Sequence, residues 1–214
     1  MNTHFEGCSF RPELPEGCDL KKDRILLHCC CGPCSTAILE WMVEEGLRPG
    51  LFFSNSNIVP FDEYVKRRDE LARYAASFGL EVADDDYDHS AWLEFVRSRC
   101  GSTEVLAGPE RGPRCVACFE FRLRRAAEYA ATNGYSILTT TLASSRWKVL
   151  SQVDDAGRRA VLEFQGEKQN EQKLIWWPQN WRKGGLQERR NFLIKSCALY
   201  NQTWCGCEFS QRNL

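Results

Sequence analysis

The chain of 214 residues has 43% apolar and 27% charged residues and a net charge of −1, a balance that fits one globular domain able to bury a core without staples. No run approaches the roughly 18 unbroken apolar residues of a membrane span, and Met1 to Pro15 is polar with no apolar signal core, so neither an anchor nor secretion is expected. The even charge balance also excludes a generally polybasic nucleic-acid binder, and the expected compartment is the cytoplasm.

Residues 1–23 read as an N-terminal arm and 24–214 as a single α/β catalytic domain. Arg24 to His28 is a short apolar strand that runs into a group of cysteines. Ser35 and Thr36 open a helix through Trp41 and Val43, with Gly46 as its stop. Leu51 to Phe53 reads as a second strand leading to the polar loop Ser54–Asn57. Phe61 to Phe78 follows 3–4 apolar spacing and ends at Gly79. Leu80 to Val82 is the third expected strand and Ser90 to Arg99 the next helix, and 101–113, rich in Gly and Pro, is expected to be loop. Cys115 to Asn133 is helical and closed by Gly134, and Ser136 to Thr140 is a strand followed by Ser144-Ser145-Arg146. Lys173 to Trp177 reads as a fifth strand, and Leu186 to Tyr200 as the last helix before a C-terminal cysteine-bearing extension. This alternation predicts an α/β fold with a mostly parallel sheet of about five strands flanked by helices. In such folds ligands sit outside the carboxyl ends of the strands. The first cysteines, Asn55–Asn57 and Ser144–Lys148 all follow strands and are expected at one mouth.

Seven of the twelve cysteines fall in three clusters: Cys30, Cys31 and Cys34; Cys115 and Cys118; Cys205 and Cys207. Thiols this dense point to a soft metal, an iron–sulfur cluster or a redox disulfide. The first cluster lies at a strand-to-helix turn, where free N–H groups and the helix dipole favour thiolates. Cys31-Gly-Pro-Cys34 also has the spacing of thioredoxin-like oxidoreductases. Cys115, Cys118, Arg122 and Arg125 share one helical face, apart from an apolar stripe of Val116, Phe119, Leu123, Ala126 and Ala130. Cys205 and Cys207 can ligate a metal or close a very small, easily reduced disulfide ring. Two CxxC-like pairs alone read as structural zinc, but a third pair exceeds what one zinc needs. Cys197 and Cys29 are expected in packing, Cys100 is given no role, and Cys8 and Cys18 of the arm are open to pairing. His28 and His89 are assigned no catalytic role. Residues 111–125 and 181–195 each sum to +4, and 81–94 to −6, so a polyanionic substrate near the thiols is one reading and solvated helix faces the other.

Five segments taken together, Leu26–Ser35, Arg114–Phe119 with Arg122-Leu123, Thr139–Ser144, and Tyr200–Ser210, resemble the cobalamin-independent epoxyqueuosine reductase family (QueH type), in its order and spacing over roughly residues 24–210. Three places depart from the family's pattern: the loops Phe53–Ile58 and Ser145–Lys148, and Gln179-Asn180, where an acid often precedes the pair matched by Trp181-Arg182. The resemblance implies a Rossmann-like domain that reduces epoxyqueuosine to queuosine at the wobble position of tRNA. It implies a [4Fe–4S] cluster on Cys30, Cys31, Cys115 and Cys118, a redox-active disulfide between Cys205 and Cys207, and Cys34 beside an adjacent mononuclear iron or the substrate. On that reading Arg122, Arg125, Arg182 and Lys183 are expected at anticodon-loop phosphates, with Trp147 or Trp181 stacked on bases. Asn57, Ser144 and Lys148 are expected near the substrate, and the electrons come from a donor the sequence does not identify. The rival readings are a thiol–disulfide oxidoreductase using Cys31 and Cys34, a zinc-stabilised RNA-binding module, and a sulfur-inserting enzyme acting on tRNA. The last would require a Gly-rich phosphate loop, which is absent after the first strand.

Overall fold

The computed structural model describes residues 8–165 and 173–210. Among them five strands, β1 (Ile25–His28), β2 (Gly50–Phe53), β3 (Val82–Asp84), β4 (Ile137–Thr140) and β5 (Ile175–Trp176), form one sheet in the order β3-β2-β1-β4-β5. Every pairing is parallel, with Leu26 facing Gly50 on one side and Leu138 on the other. The helices are α1 (Gly32–Glu44), α2 (Phe61–Ala76), α3 (His89–Cys100), α4 (Thr103–Ala107), α5 (Pro113–Thr132), α6 (Leu150–Gln165) and α7 (Leu186–Ser196). Short 3₁₀ turns cover Thr141–Ser144 and Glu208–Ser210. This is the expected parallel α/β architecture.

Strand side chains alternate between two apolar layers. Leu27, Leu51 and Phe53 join Ile38 and Trp41 of α1 and Tyr64 of α2, whereas Leu26, Phe52 and Leu138 join Leu123 and Ala126 of α5 and Val153 and Ala160 of α6. Both faces are therefore covered, as a parallel sheet requires. The chain winds outward from β1 through β2 to β3, then crosses to β4 and β5. The winding reverses between β1 and β4, whose carboxyl-end residues His28 and Thr140 pair in register. A crevice opens at such a reversal because the two following loops leave in opposite directions.

The element boundaries differ from expectation for local reasons. Helix α1 begins at Gly32, ahead of Ser35, because Pro33 occupies its first turn, where a missing N–H costs nothing. The third strand starts at Val82 because Leu80 still belongs to the helix end: Gly79 has φ +66° and Leu80 N–H bonds back to Ala75 O at 3.2 Å. Within the expected loop 101–113, Ser102 accepts from Val105 N–H and caps α4. Helix α7 stops at Ser196, short of Tyr200, with Ala198 at φ +48°. The arm packs onto the domain: Phe10 is buried against Trp41 and Trp181, and Glu13 O accepts from Trp177 Nε1 at 2.9 Å. Cys8 and Cys18 are unpaired and lie against the same core layer, as do Cys29 and Cys197.

Helix α6, which sequence spacing did not announce, rests on the sheet edge through a glycine. A Cβ at buried Gly157 would lie 2.3 Å from the Trp176 ring, which is itself buried. Alanine favours a helix by about 1 kcal/mol over glycine, yet Gly157→Ala is expected to lower unfolding stability by about 1–3 kcal/mol through overpacking. An unchanged or raised urea midpoint would show that Trp176 yields freely.

Candidate active site

All three cysteine clusters open onto one cavity of about 1230 Å³ at the carboxyl ends of β1 and β4. Cys30 and Cys31 leave β1, and Cys34 lies in the first turn of α1; their three sulfurs lie within 4.8 Å of one another, with Cys30 and Cys31 3.9 Å apart. Cys115 and Cys118 stand in the opening turns of α5, and Cys205 and Cys207 on the segment that follows α7. Thr141, just beyond β4, donates from Oγ1 to Cys30 Sγ at 3.3 Å and accepts from Cys30 N–H at 2.9 Å. Gln202 Nε2 donates to Cys31 Sγ at 2.8 Å, and the backbone N–H of Arg111 to Cys115 Sγ at 3.3 Å. The first cluster is thus held from the turn after β4 and from the C-terminal segment, and Cys115 from the turn just before α5.

The cavity wall is strongly cationic. Arg67, Arg111, Arg114, Arg122, Arg146, Lys148, Arg182 and Arg190 line it against one carboxylate, Glu110. Arg122 lies at the floor, buried, donating to Ser54 O at 3.2 Å and to Asn55 Oδ1. Asn55 in turn donates to Cys29 O at 2.9 Å, so the loop after β2 is tied to the cysteine turn. His28 lies buried behind the cavity wall: Nε2–H donates to Ser54 O at 3.1 Å and Nδ1 accepts from Thr140 Oγ1 at 2.7 Å. Burial and the charge of Arg122 pull its pKa down to about 3, so it is neutral and holds strands together. Helix α7 is seated on α1 by a two-point pair between Arg189 and Glu40, both contacts 2.6 Å, which brings Arg190 to Pro33 O at 3.0 Å.

These charges act on the thiols unequally. Cys30 is held well below the usual thiol range by donation from Cys31 and Cys34, with Lys148 and Arg122 assisting against burial. Cys205 is likewise lowered, by the Cys207 thiol first and then by Lys148 and Arg122. Burial pushes Cys118 up to about 11 and Cys115 upward, and their donor roles raise Cys31 and Cys207. Burial opposes the charge on Lys148, but the sulfurs of Cys30, Cys205 and Cys34 outweigh it and raise its pKa. One thiolate from the first cluster and one from the third therefore face the same two cations.

The donor set fits a metal–sulfur group. The sulfurs of Cys30, Cys31 and Cys34 are placed to hold a metal, and thiolates are the soft ligands that iron–sulfur clusters take. A second observation concerns Arg114, whose side chain is 2% exposed on the cavity wall. One of its guanidinium nitrogens bonds Leu106 O and Gly108 O, both at 2.6 Å, but the buried Nη2 has no hydrogen-bond partner. A buried N–H without an acceptor is costly even though the guanidinium also lies over the Phe209 ring, and an anionic group in the cavity would offset that cost.

Of the residues singled out from sequence, Cys30, Cys31, Cys34, Cys115, Cys118, Cys205, Cys207, Arg122, Lys148, Arg182 and Trp147 meet at the cavity. Asn57, Ser144 and Arg125 do not line it. Asn57 and Ser144 are buried in their loops, and Arg125 is paired with Asp85, which also accepts from Ser54 Oγ at 2.7 Å. Trp181 is 1% exposed between Phe10, Trp41 and Trp177, so it is core and has no face for a base. Lys183 is exposed but off the cavity, while Arg182 is anchored to Ala143 O and Lys148 O at 3.1 and 2.9 Å. Sequence reasoning missed Arg67, and met Arg114, Arg190 and Gln202 only as members of the basic and family-like segments, without a role of their own at the site. Arg67 did leave a signal, a charge three residues after Tyr64 and four before Leu71 on the apolar face of α2.

Residues 25–213 match the family model described as epoxyqueuosine reductase QueH. Similar proteins of that name include one from Haemophilus influenzae, 39% identical over 201 residues that cover 94% of this chain and 75% of the relative. One from Acinetobacter baylyi is 37% identical over 191 residues, covering 89% and 82%, and one from Thermotoga maritima is 31% identical over 187 residues, covering 87% and 89%. With a family match across most of its length and a cavity that gathers all seven clustered thiols, the chain belongs to the epoxyqueuosine reductase QueH family.

Proposed function

We propose that this protein reduces epoxyqueuosine to queuosine in tRNA, in the cytoplasm, using a [4Fe–4S] cluster on Cys30, Cys31, Cys115 and Cys118. The observation that carries the reading is the single cationic cavity onto which all three thiol clusters open. When bound, the cluster would supply one-electron transfer and Lewis acidity toward the epoxide oxygen. The net reaction consumes two electrons and two protons, expels the epoxide oxygen as water and leaves a carbon–carbon double bond. Oxidation of the Cys205 thiolate and the Cys207 thiol to a disulfide releases two electrons and one proton, and a second proton from solvent balances that reaction. A donor outside the chain then restores the dithiol. Cys34 would meet an adjacent mononuclear iron or the substrate, a role supported by the grouping of its sulfur with those of Cys30 and Cys31. Trp147, 55% exposed at the cavity, offers a stacking face, and Arg146 lies over it at 4.9 Å. With Arg111 and Arg182 they form a mouth suited to a polyanionic single-stranded loop. Among the described residues no helix is long and apolar enough to cross a membrane.

A thioredoxin-like role for Cys31 and Cys34 finds less support. Such an enzyme exposes a cysteine of lowered pKa, whereas Cys31 is 2% exposed and raised by its donation to Cys30. Anaerobic purification tests the main reading: iron, acid-labile sulfide and visible absorbance are measured together, followed by reduction of epoxyqueuosine-containing tRNA with dithionite. The expected result is a brown protein that converts the substrate to queuosine and holds iron and sulfide in equal proportion, or one iron in excess where Cys34 holds a mononuclear iron. A colourless, iron-free protein that still converts the substrate would remove the cluster from the mechanism, and zinc without sulfide or turnover would favour a zinc-stabilised RNA-binding module.

A further inference from the structure

We propose that Arg67 is the positioning residue of the Cys205/Cys207 pair, fixing the backbone on which the two thiols oxidise and reduce. The inference deepens the proposed function and rests on the redox role of those two cysteines.

Arg67 lies on α2, far from either cysteine in sequence, and is 2% exposed. A guanidinium so buried persists only if its donors are used. Nε donates to Glu63 Oε1 at 2.7 Å, Nη1 to Cys205 O at 2.9 Å and Nη2 to Trp204 O at 3.3 Å. The same group lies 5.3 Å from the Trp204 ring centre. One planar fork therefore holds two successive carbonyls of the strap that carries the thiol pair. Glu63 extends the clamp by accepting from Tyr200 Oη at 3.0 and 3.1 Å, and Glu70 accepts from Tyr200 N–H at 2.9 Å.

The next peptide is fixed as well. Gly206 O accepts from Val59 N–H at 3.0 Å. Gly206 has φ +119°, and a Cβ there would lie 2.8 Å from Ile58 Cγ1 and 3.1 Å from Arg67 Nη1. Carbonyls on both sides of the Cys205–Gly206 peptide bond are thus held by α2 and the loop before it. That matters because a disulfide across one intervening residue closes a very small ring, whose ease of closure depends on backbone orientation. Forming the bond joins the Cys205 thiolate and the Cys207 sulfur, breaks the one S–H bond of Cys207, and releases two electrons and one proton; with a second proton from solvent these convert the epoxide to alkene and water. Arg67 takes no part in that transfer; it sets the geometry in which the pair cycles.

The test uses the full-length, cluster-loaded protein with Arg67→Gln and Arg67→Lys. The dithiol–disulfide equilibrium of Cys205 and Cys207 is measured in glutathione buffers by thiol labelling, with kcat, KM for tRNA and cluster absorbance alongside. Arg67→Gln is expected to shift that equilibrium and lower kcat by about ten- to a hundredfold, the scale of losing hydrogen bonds to a charged group. KM and cluster absorbance should stay unchanged, and Arg67→Lys, which can serve one carbonyl, should recover part of the loss. Gly206→Ala, which disturbs the strap while leaving α2 intact, should shift the same equilibrium. A wild-type equilibrium in Arg67→Gln overturns the proposal whatever Gly206→Ala shows, as does a loss of activity that tracks only loss of the cluster. If Cys205→Ser retains turnover, the redox-pair reading falls and this inference with it; if Cys205→Ser is inactive while Arg67→Gln is not, only the positioning role fails.

Discussion

Cys115→Ser is expected to give a folded, colourless protein that has lost iron, sulfide and turnover together. The residue is well suited to this test because it lies in the first turn of α5 and is only partly buried, so its removal spares the core. Cys30, by contrast, is buried and its backbone N–H is bonded to Thr141, so a change there mixes folding with ligation. A serine hydroxyl is a hard, weakly acidic donor and a poor substitute for thiolate toward iron. Losing even an outer partner of a metal ligand costs about 10–100-fold, so loss of a ligand itself should exceed about 100-fold in turnover. Far-ultraviolet circular dichroism and the urea midpoint of the metal-free form should match those of metal-free wild type. Retention of full absorbance with unchanged activity would remove Cys115 from the ligand set and point to Cys30, Cys31 and Cys34, whose sulfurs are already gathered.

Cys205→Ser is expected to separate electron relay from cluster binding. The variant should keep the visible spectrum and iron content of wild type but fall below about a thousandth of its turnover, because serine cannot form the disulfide. Cys207→Ser should behave alike, and the double variant no worse than either single one, since members of one catalytic unit are strongly non-additive. The two positions differ in a second respect. Cys205 is the lowered thiol, held by Cys207, Lys148 and Arg122, whereas Cys207 is raised by its donation to Cys205. Alkylation by iodoacetamide near neutral pH should therefore favour Cys205 over Cys207 in wild type. Loss of the cluster's colour in Cys205→Ser would instead make that residue a ligand.

The parallel sheet and the meeting of the thiols were legible because they rest on local signals. Short apolar runs alternated with amphipathic helices, and the cysteines were dense enough to mark their own loops. Helix α6 escaped because its buried stripe is Val153, Ala156, Ala160 and Val161, small residues that raise little apolar contrast. The second tier of the site was hidden for another reason. Arg125 read as a cation beside the thiols, but its partner Asp85 is 40 positions away in sequence, in the acidic segment 81–94. Trp181 read as a stacking face in a basic run, yet the arm residue Phe10 covers it. Gln202 and Arg114 gain their roles only through contacts with Cys31 and with the carbonyls of 106 and 108. Pairings across such distances are decided by the fold, and no spacing rule anticipates them.

The order of the three cysteine clusters along the chain has a consequence for how the molecule is made. The sheet core and the thiols of 30–34 and 115–118 emerge from a ribosome before residues 201–205 and Cys207, which line one wall of the cavity. Until that strap docks on Glu63, Arg67 and Glu70, the earlier thiols face an open crevice. Synthesis therefore runs from the two clusters at the floor to the closing strap, leaving an interval in which the site is accessible from the side that the finished protein covers.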